Sequence, residues 1–395
     1  MKKFRIKINC SRKVKTNIME YKDYNIILVN LDGLRRDRID KLKSFDLLKE
    51  NSYFFKNMNT VAPYTFASLH AVFSGMYPSK NGVNGYYNIF KFKKNKIKTI
   101  TEFLQDAGFY TSCDIIDDSV IPLQGFNEFN IFDEETVNFI ERHSKIIKDL
   151  SNKKKFFLFL HYTETHRDLV REVVRKQKEE SNDEYYNSLK ENSDRYDSYL
   201  PSCDEYVFSL IKTLNECQIK EKTILVIFSD HGTSIGEKKG EKFYGVFAYD
   251  YTLNVFCMIN IPGIVPKNTS KQCSTIDIFP TIMEIAQNFE VNNNIQGNSL
   301  FELIDNPEKS ERELFVETGG LYGPWPSPTK PNVFCVRSNN KKLIYNDTPQ
   351  TWEFYDLKKD PCEKNNIYES KSEEVINFKN RLICHFKNNN IETNL

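Results

Sequence analysis

Three short runs along the chain are almost continuously apolar and end abruptly in polar residues. Tyr24–Leu31 (YNIILVNL) stops at Asp32-Gly33, Lys155–Leu160 (KFFLFL) at His161, and Thr223–Phe228 (TILVIF) at Ser229-Asp230-His231. An apolar run without alternation predicts a strand covered on both faces, as in a parallel sheet. Strands that end together in polar side chains are how open α/β sheets present a site at their carboxyl edge. Between these runs the pattern turns helical. Ser68–Ser74 follows a helix start at Ala62-Pro63-Tyr64-Thr65, Lys98–Ala107 is amphipathic and stopped by Gly108, and Phe109–Ile116 reads as a further strand. Tyr185–Asn215 reads as a long polar helix or a helix pair broken near Pro201, and Asp277–Gln287 as a helix carrying Pro280 in its first turn.

Past about Ser310 the rhythm changes. Short strand-like pieces, Glu313–Glu317, Val333–Arg337, Lys342–Tyr345 and Trp352–Tyr355, alternate with turns, and a helix covers Glu373–Phe386. The expected architecture is therefore an α/β three-layer sandwich with a mixed, mostly parallel central sheet and a small C-terminal α+β subdomain. Residues 1–20 form a basic tail, 21–309 the α/β unit, and 310–395 the subdomain. A densely charged stretch at about 164–192 reads either as an insertion over the site or as a solvated surface helix.

Composition narrows the function classes. The 395 residues are 39% hydrophobic, 13% aromatic and 28% charged, with 55 basic against 54 acidic residues and a net charge of +1. That balance gives no basic footprint for nucleic acid. No apolar run approaches the ~20 residues of a membrane span. Nine scattered cysteines without a CxxC pair argue against a disulfide framework and for a reducing compartment. The basic start MKKFRIKINCSRKVK lacks the apolar core of a signal peptide, so a cytoplasmic protein is expected. That start reads either as a solvated tail or as a contact for an anionic membrane surface. Nothing in the sequence sets the oligomeric state.

Candidate chemistry must be assembled from six histidines and the carboxylates at the strand ends. Asp32, taken alone, reads equally as a turn cap or a metal ligand. Asp230-His231-Gly232 sets two metal-binding side chains at another strand end, a donor mix suited to zinc or manganese. Thr65 begins a helix, where backbone N–H groups and the dipole favour an anion. It reads either as a simple N-cap or as a metal-bound nucleophile with a lowered hydroxyl pKa.

Together these segments resemble the alkaline phosphatase superfamily, and within it the sulfatase-like branch. Asn25–Asp32 resembles the first metal-binding strand, and Thr65–Pro78 with Gly82-Val83 the nucleophile helix. Phe228–Gly232 with Gly236-Glu237 resembles the second metal segment, and Ile276–Thr281 the Asp-x-x-Pro-Thr helix. Glu353–Leu357 with Asp360-Pro361 and Glu363 resembles the closing strand and turn. The run Thr65-Phe66-Ala67-Ser68-Leu69 departs from the Cys/Ser-x-Pro-x-Arg motif that matures to formylglycine, and Gly33 stands where sulfatases carry a second Asp.

A Thr in this slot resembles the relatives that act on phosphoesters or phosphonoesters through a phospho-threonine. The resemblance therefore implies a metal-dependent hydrolase or transferase acting on a small-molecule or glycan-linked phosphoester. Two alternatives stand beside it: a sulfuric ester hydrolase without formylglycine, and a degenerate binding protein of the same fold. One metal, zinc or manganese, is expected on Asp32, Thr65, Asp230 and His231, with a second metal as the alternative. Lys242–Val246 lacks the His that two-metal relatives draw from this stretch. His161 and His166 are expected to bind the transferred group's oxygens or protonate the leaving group, against a plain reading as polar strand-end residues. His70 is expected to pack, and His143 and His385 to lie at the surface. Lys238, Lys239 and Lys242 read as a solvated loop or as neutralisers of substrate phosphate.

Overall fold

A computed structural model describes residues 21–165, 182–286, 294–306, 308, 312–338 and 340–395. Its main sheet contains strands β1 (Asn25–Leu31), β2 (Ser52–Asn59), β3 (Tyr110–Ile115), β4 (Glu128–Ile131), β5 (Phe156–Tyr162), β6 (Thr223–Phe228), β7 (Asn254–Asn260), β8 (Lys267–Thr269) and β9 (Cys273–Ser274). The spatial order is β4-β3-β5-β1-β6-β7-β2-β8, with β9 paired to β2. From β4 through β6 the pairings are parallel, and β7 runs against both β6 and β2. The three apolar runs thus become adjacent central strands, with β1 between β5 and β6.

The lack of alternation in those runs has a direct cause. Ile26 and Leu28 of β1, Phe157 and Phe159 of β5, and Ile224, Val226 and Phe228 of β6 enter one core with Leu69, Val72 and Phe73 of the helix Thr65–Ser74. Their neighbours Ile27, Val29, Phe156, Leu158, Leu160, Leu225 and Ile227 enter a second core on the opposite face, under the helices Lys43–Lys49, Phe139–Leu150 and Leu200–Glu216. Both faces being dry, consecutive positions are apolar: Ile26–Val29, Phe156–Leu160 and Ile224–Phe228.

Strands β2 and β7 lie where the sequence reading assigned none. Asn57 and Asn59, and Asn254 and Asn260, dilute the β-branched signal at their ends, while pairing with neighbouring strands supplies the missing preference. The stretch read as Tyr185–Asn215 is three helices, Asn182–Asn187, Leu189–Asp197 and Leu200–Glu216, and Pro201 sits in the first turn of the last. A proline there loses no helical hydrogen bond. The tail 1–20 and most of the charged stretch lie outside the described residues. In the part of that stretch that is described, Tyr185 and Asn192 are buried: Asn192 Nδ2 donates to the Ile235 carbonyl at 2.9 Å and Tyr185 Oη to that of Lys242 at 2.8 Å, while Leu189–Glu191 are exposed.

A second, antiparallel sheet runs β10 (Leu314–Thr318), β11 (Val333–Ser338), β12 (Lys341–Asn346) and β13 (Thr351–Asp356) in sequential order. One face carries Phe334, Val336, Leu343, Tyr345 and Phe354 against Val375, Phe378, Leu382 and Phe386 of the helix Glu373–Asn389. The other face, with Val316, Val333, Cys335, Ile344 and Tyr355, packs on Val246–Tyr249 and Leu253 of the larger unit. Eight cysteines are free among the described residues. No helix of the described residues is long and apolar enough to cross a membrane.

Candidate active site

The carboxyl ends of β1, β5 and β6 bring Asp32, His161, Asp230 and His231 together, all buried, beneath the start of the helix Thr65–Ser74. Asp32, Asp230 and His231 each offer a ligand atom, and those atoms lie within 4.8 Å of one another. The cap position of the helix belongs to Tyr64, and its side chain makes no cap hydrogen bond. Thr65 is therefore the first helical residue and not the N-cap. Its Oγ1 lies 3.4 Å from Asp32 Oδ2 and 3.2 Å from His231 Nε2.

The backbone explains why these groups hold position. Gly33 takes φ 67°, which turns the chain sharply after Asp32. Its amide and that of His231 donate to Asp230 Oδ1 at 3.4 and 3.0 Å. Asp230's own amide donates to Asn30 Oδ1 at 3.0 Å. Gly232 is required by space, since a Cβ there would stand 2.2 Å from the Tyr251 carbonyl oxygen. One turn beyond Thr65, Ser68 Oγ donates to the Asp230 carbonyl at 2.9 Å and lies 2.9 Å from Thr60 Oγ1. The helix Thr65–Ser74 and the β6 edge are thereby tied together.

The donor set fits a divalent cation. His231 Nδ1 is 2.7 Å from the Gly232 carbonyl, an acceptor only, so Nδ1 carries the proton and the Nε2 lone pair faces the carboxylates. Asp32 Oδ1 lies 3.5 Å and Asp230 Oδ2 3.7 Å from that Nε2. Asp230 Oδ2 is buried and makes no hydrogen bond. Burial, and then the Asp32 charge, push the Asp230 carboxyl above its ordinary value. Two buried carboxylates facing an imidazole lone pair are the environment a cation stabilises.

His161 Nε2 lies 2.8 Å from Asp32 Oδ2, and its Nδ1 makes no hydrogen bond. The nitrogen nearest the site is thus already engaged with Asp32. His166 lies outside the described residues. His70 is buried as expected, with Nδ1 2.8 Å from the Phe66 carbonyl and its ring 5.3 Å from that of Phe92.

Two histidines expected at the surface are buried instead. His143 is fully enclosed, its Nδ1 2.7 Å from Tyr206 Oη and its Nε2 3.1 Å from Asp114 Oδ2, with Arg142 forking onto the same carboxylate. His385 Nε2 meets Glu317 Oε1 at 2.9 Å and its ring stacks on Phe315 at 4.1 Å. In both cases a buried carboxylate supplies the partner that the charged surrounding sequence concealed. Lys238 lies half-buried, donating to the Glu363 carbonyl at 2.5 Å and lying over the Tyr249 ring at 4.4 Å. It belongs to a packed junction and not to a solvated loop, whereas Lys239 is exposed.

Asn30, Ser68 and Tyr244 escaped the sequence reading. Tyr244 sets its ring 4.6 Å from that of His231, in the stretch noted for lacking a histidine. Asn30 shares a strand face with Asp32, and Ser68 lies one turn past Thr65, so helical and strand periodicity carried a signal for both.

Comparison with known proteins agrees with this geometry. Residues 24–288 match the model of the Sulfatase family. The chain belongs to the sulfatase family. Residues 240–388 of this sulfatase-family protein also match the C-terminal model of N-sulphoglucosamine sulphohydrolase. Among curated proteins, the N-acetylglucosamine-6-O-sulfatase of Bacteroides thetaiotaomicron is 30% identical over 198 residues, 47% of this chain and 34% of that protein. The ulvan-active sulfatase of Formosa agariphila is 28% identical over 177 residues, 44% of this chain and 34% of that one. The matched stretch thus spans about a third of the length of these relatives. Among solved structures, a complex with the substrate D-glucosamine-2-N,6-O-disulfate superposes with a TM-score of 0.74 at 17% identity, covering 93% of this chain and 98% of that one. The phosphonate monoester hydrolase of Silicibacter pomeroyi gives 0.70 at 14%, covering 93% and 96%. These likenesses establish the alkaline phosphatase-like fold of the sulfatases with its C-terminal antiparallel sheet.

Proposed function

We propose that this sulfatase-family hydrolase cleaves the monoester of a tetrahedral oxyanion, with Thr65 Oγ1 as nucleophile and Asp32, Asp230 and His231 as the cation-holding residues. The observation that carries this reading is the place of Thr65 Oγ1, at a helix N-terminus and within 3.4 Å of both Asp32 Oδ2 and His231 Nε2. A zinc or manganese ion bound there would lower the hydroxyl pKa and offset the charge developing on the transferred group. Asp32 Oδ2 takes the Thr65 proton, and His161 Nε2 holds that carboxylate in place. Thr65 Oγ1 then forms a bond to the central atom as the ester oxygen departs. His166 is assigned as donor of the proton that the departing alcohol takes up. Helix N–H groups stabilise the oxyanion, and water attacking the same central atom returns the Thr65 hydroxyl.

Sulfate esters are the better supported substrate class, because the named relatives are sulfatases and the family model spans residues 24–288, which hold the segments that build this site. Those named substrates also make a small glycan-linked ester the working choice. A phosphoester or phosphonoester is the second reading, and a specific observation favours it. Thr65 cannot mature to formylglycine, and a hydroxyl nucleophile transfers a phosphoryl group through an intermediate that water resolves. One fold-neighbour, moreover, is a phosphonate monoester hydrolase.

The test is a panel of aryl sulfates, phosphomonoesters, phosphodiesters and phosphonates with added zinc or manganese, using wild type and Thr65→Ala. Sulfate turnover alone selects the first reading, and phosphate or phosphonate turnover with phosphate trapped on Thr65 selects the second. Full activity in Thr65→Ala, with either ester, refutes the nucleophile assignment. A metal-replete wild type that binds these esters and turns over none of them supports the degenerate binding protein instead.

A further inference from the structure

A buried charge cluster joins the C-terminal sheet to the segment behind His231. Lys342 of β12 is fully buried; its ammonium group donates to Asp250 Oδ1 at 2.5 Å and to the Ala248 carbonyl at 3.2 Å, and forms an ion pair with Glu363 Oε1 at 2.7 Å. Arg337 of β11 donates to both oxygens of Asp250 at 2.8 Å and to Asn59 Oδ1 at 2.5 Å. Glu363 Oε2 accepts the Asp250 amide at 2.6 Å. Asp250 is thus held through its carboxylate and its amide by three residues of the C-terminal subdomain. Two cationic side chains face two carboxyl groups, with burial pushing the Glu363 carboxyl up to about 7, and removing one cation or the Asp250 carboxylate would strand a buried charge.

Asp250 opens the helical turn Asp250–Leu253, and that turn is what Gly232 rests on. The Gly232 amide donates to the Thr252 carbonyl at 2.8 Å, and the Tyr251 carbonyl oxygen leaves no room for a Cβ at Gly232. The Gly232 carbonyl in turn accepts from His231 Nδ1 and fixes its tautomer. Each link is a short contact between named atoms, running Lys342 and Arg337 to Asp250, then Tyr251 and Thr252, then Gly232, then His231.

We infer that Lys342, Arg337 and Glu363 are positioning residues. Through Asp250 and Gly232 they set the orientation in which His231 Nε2 meets a cation, so metal affinity depends on the docked C-terminal sheet. This rests on the reading of Asp32, Asp230 and His231 as the cation site. Loss of an outer partner of a metal-ligating histidine weakens metal affinity about 10–100-fold, and the expected effect is at the lower end, because Gly232 stays in place.

The test uses the charge-neutral double variant Lys342→Met/Glu363→Gln in the full chain, with Co2+ affinity read by equilibrium dialysis and by its visible spectrum. The expected result is about 10-fold weaker binding and an altered ligand-field spectrum, in a variant that shows a cooperative melt without metal. Wild-type affinity and spectrum in the folded variant overturn the inference alone. Failure of wild type to bind Co2+, Zn2+ or Mn2+ overturns the cation-site reading and this inference with it. Should the variant not fold, hydrogen exchange of wild type decides. Coupling is reciprocal, so added metal should slow exchange in Asp250–Leu253 and in Lys341–Asn346. Protection confined to the Asp32 and Asp230 segments overturns the inference.

Discussion

His70 sits on the helix that Thr65 opens and distinguishes packing from catalysis in a measurable way. Its ring is buried, makes one hydrogen bond to the Phe66 carbonyl and contacts Phe92. Burial pulls its pKa down from 6.5 to about 4, and the bond to Phe66 only partly opposes this. The sign follows from proton uptake. Below pH 6.5 the unfolded chain binds a proton that the folded chain refuses until about pH 4. Stability present above pH 6.5 is therefore lost as pH falls through that window. A gap of about 2.5 pH units at about 1.4 kcal/mol each gives a loss of about 3 kcal/mol. His70→Leu removes the titrating group. Its lost hydrogen bond is minor, because the Phe66 carbonyl also accepts within the helix. Denaturant unfolding of wild type and variant at steps from pH 7.5 to 4.5 should show the variant gaining on wild type by about 2–3 kcal/mol across the range. Other buried histidines titrate in both proteins and cancel in the difference. A difference that does not change with pH would refute the reasoning, since it would mean that His70 takes up its proton in place. Turnover at pH 7.5 should be unaffected, as a packing residue requires.

Other expectations follow from the site itself. Thr65→Ala should lower kcat by about 1000-fold or more, and Thr65→Ser should retain much of it; steady-state kinetics on the ester that wild type turns over checks both. Gly232→Ala must displace the Tyr251 carbonyl, and should lower both the melting temperature and the Co2+ affinity, read by calorimetry and dialysis. Chelation should abolish turnover and lower the melting temperature, and zinc or manganese should restore both, because a cation bound only by the folded state stabilises it.

The legible and illegible parts of this chain separate by the range of the interactions involved. β1, β5 and β6 could be read because burial on both faces is written into consecutive residues, and the polar residues that end them are the site. Asp32, Asp230 and His231 meet because β1 and β6 are adjacent and parallel; the apolar runs imply the parallel sheet, and the adjacency comes from the fold. His143 and His385 were misplaced because charge density was weighed over periodicity. Phe139, His143, Ile147 and Leu150 lie on one helical face, as do Phe378, Leu382 and His385. The information was present at helical spacing, but the neighbouring lysines and glutamates face the other way. The cluster around Lys342 was beyond any local pattern. A lysine in a strand reads as an exposed position, and only the arrival of Asp250 and Glu363, 92 and 21 residues away in the chain, makes its burial affordable. A buried ammonium held by carboxyl groups from two distant segments gains little stability over an apolar side chain, so packing alone gives no reason for it. What it does specify is one relative placement of two sheets, and that placement ends at the carbonyl that orients His231.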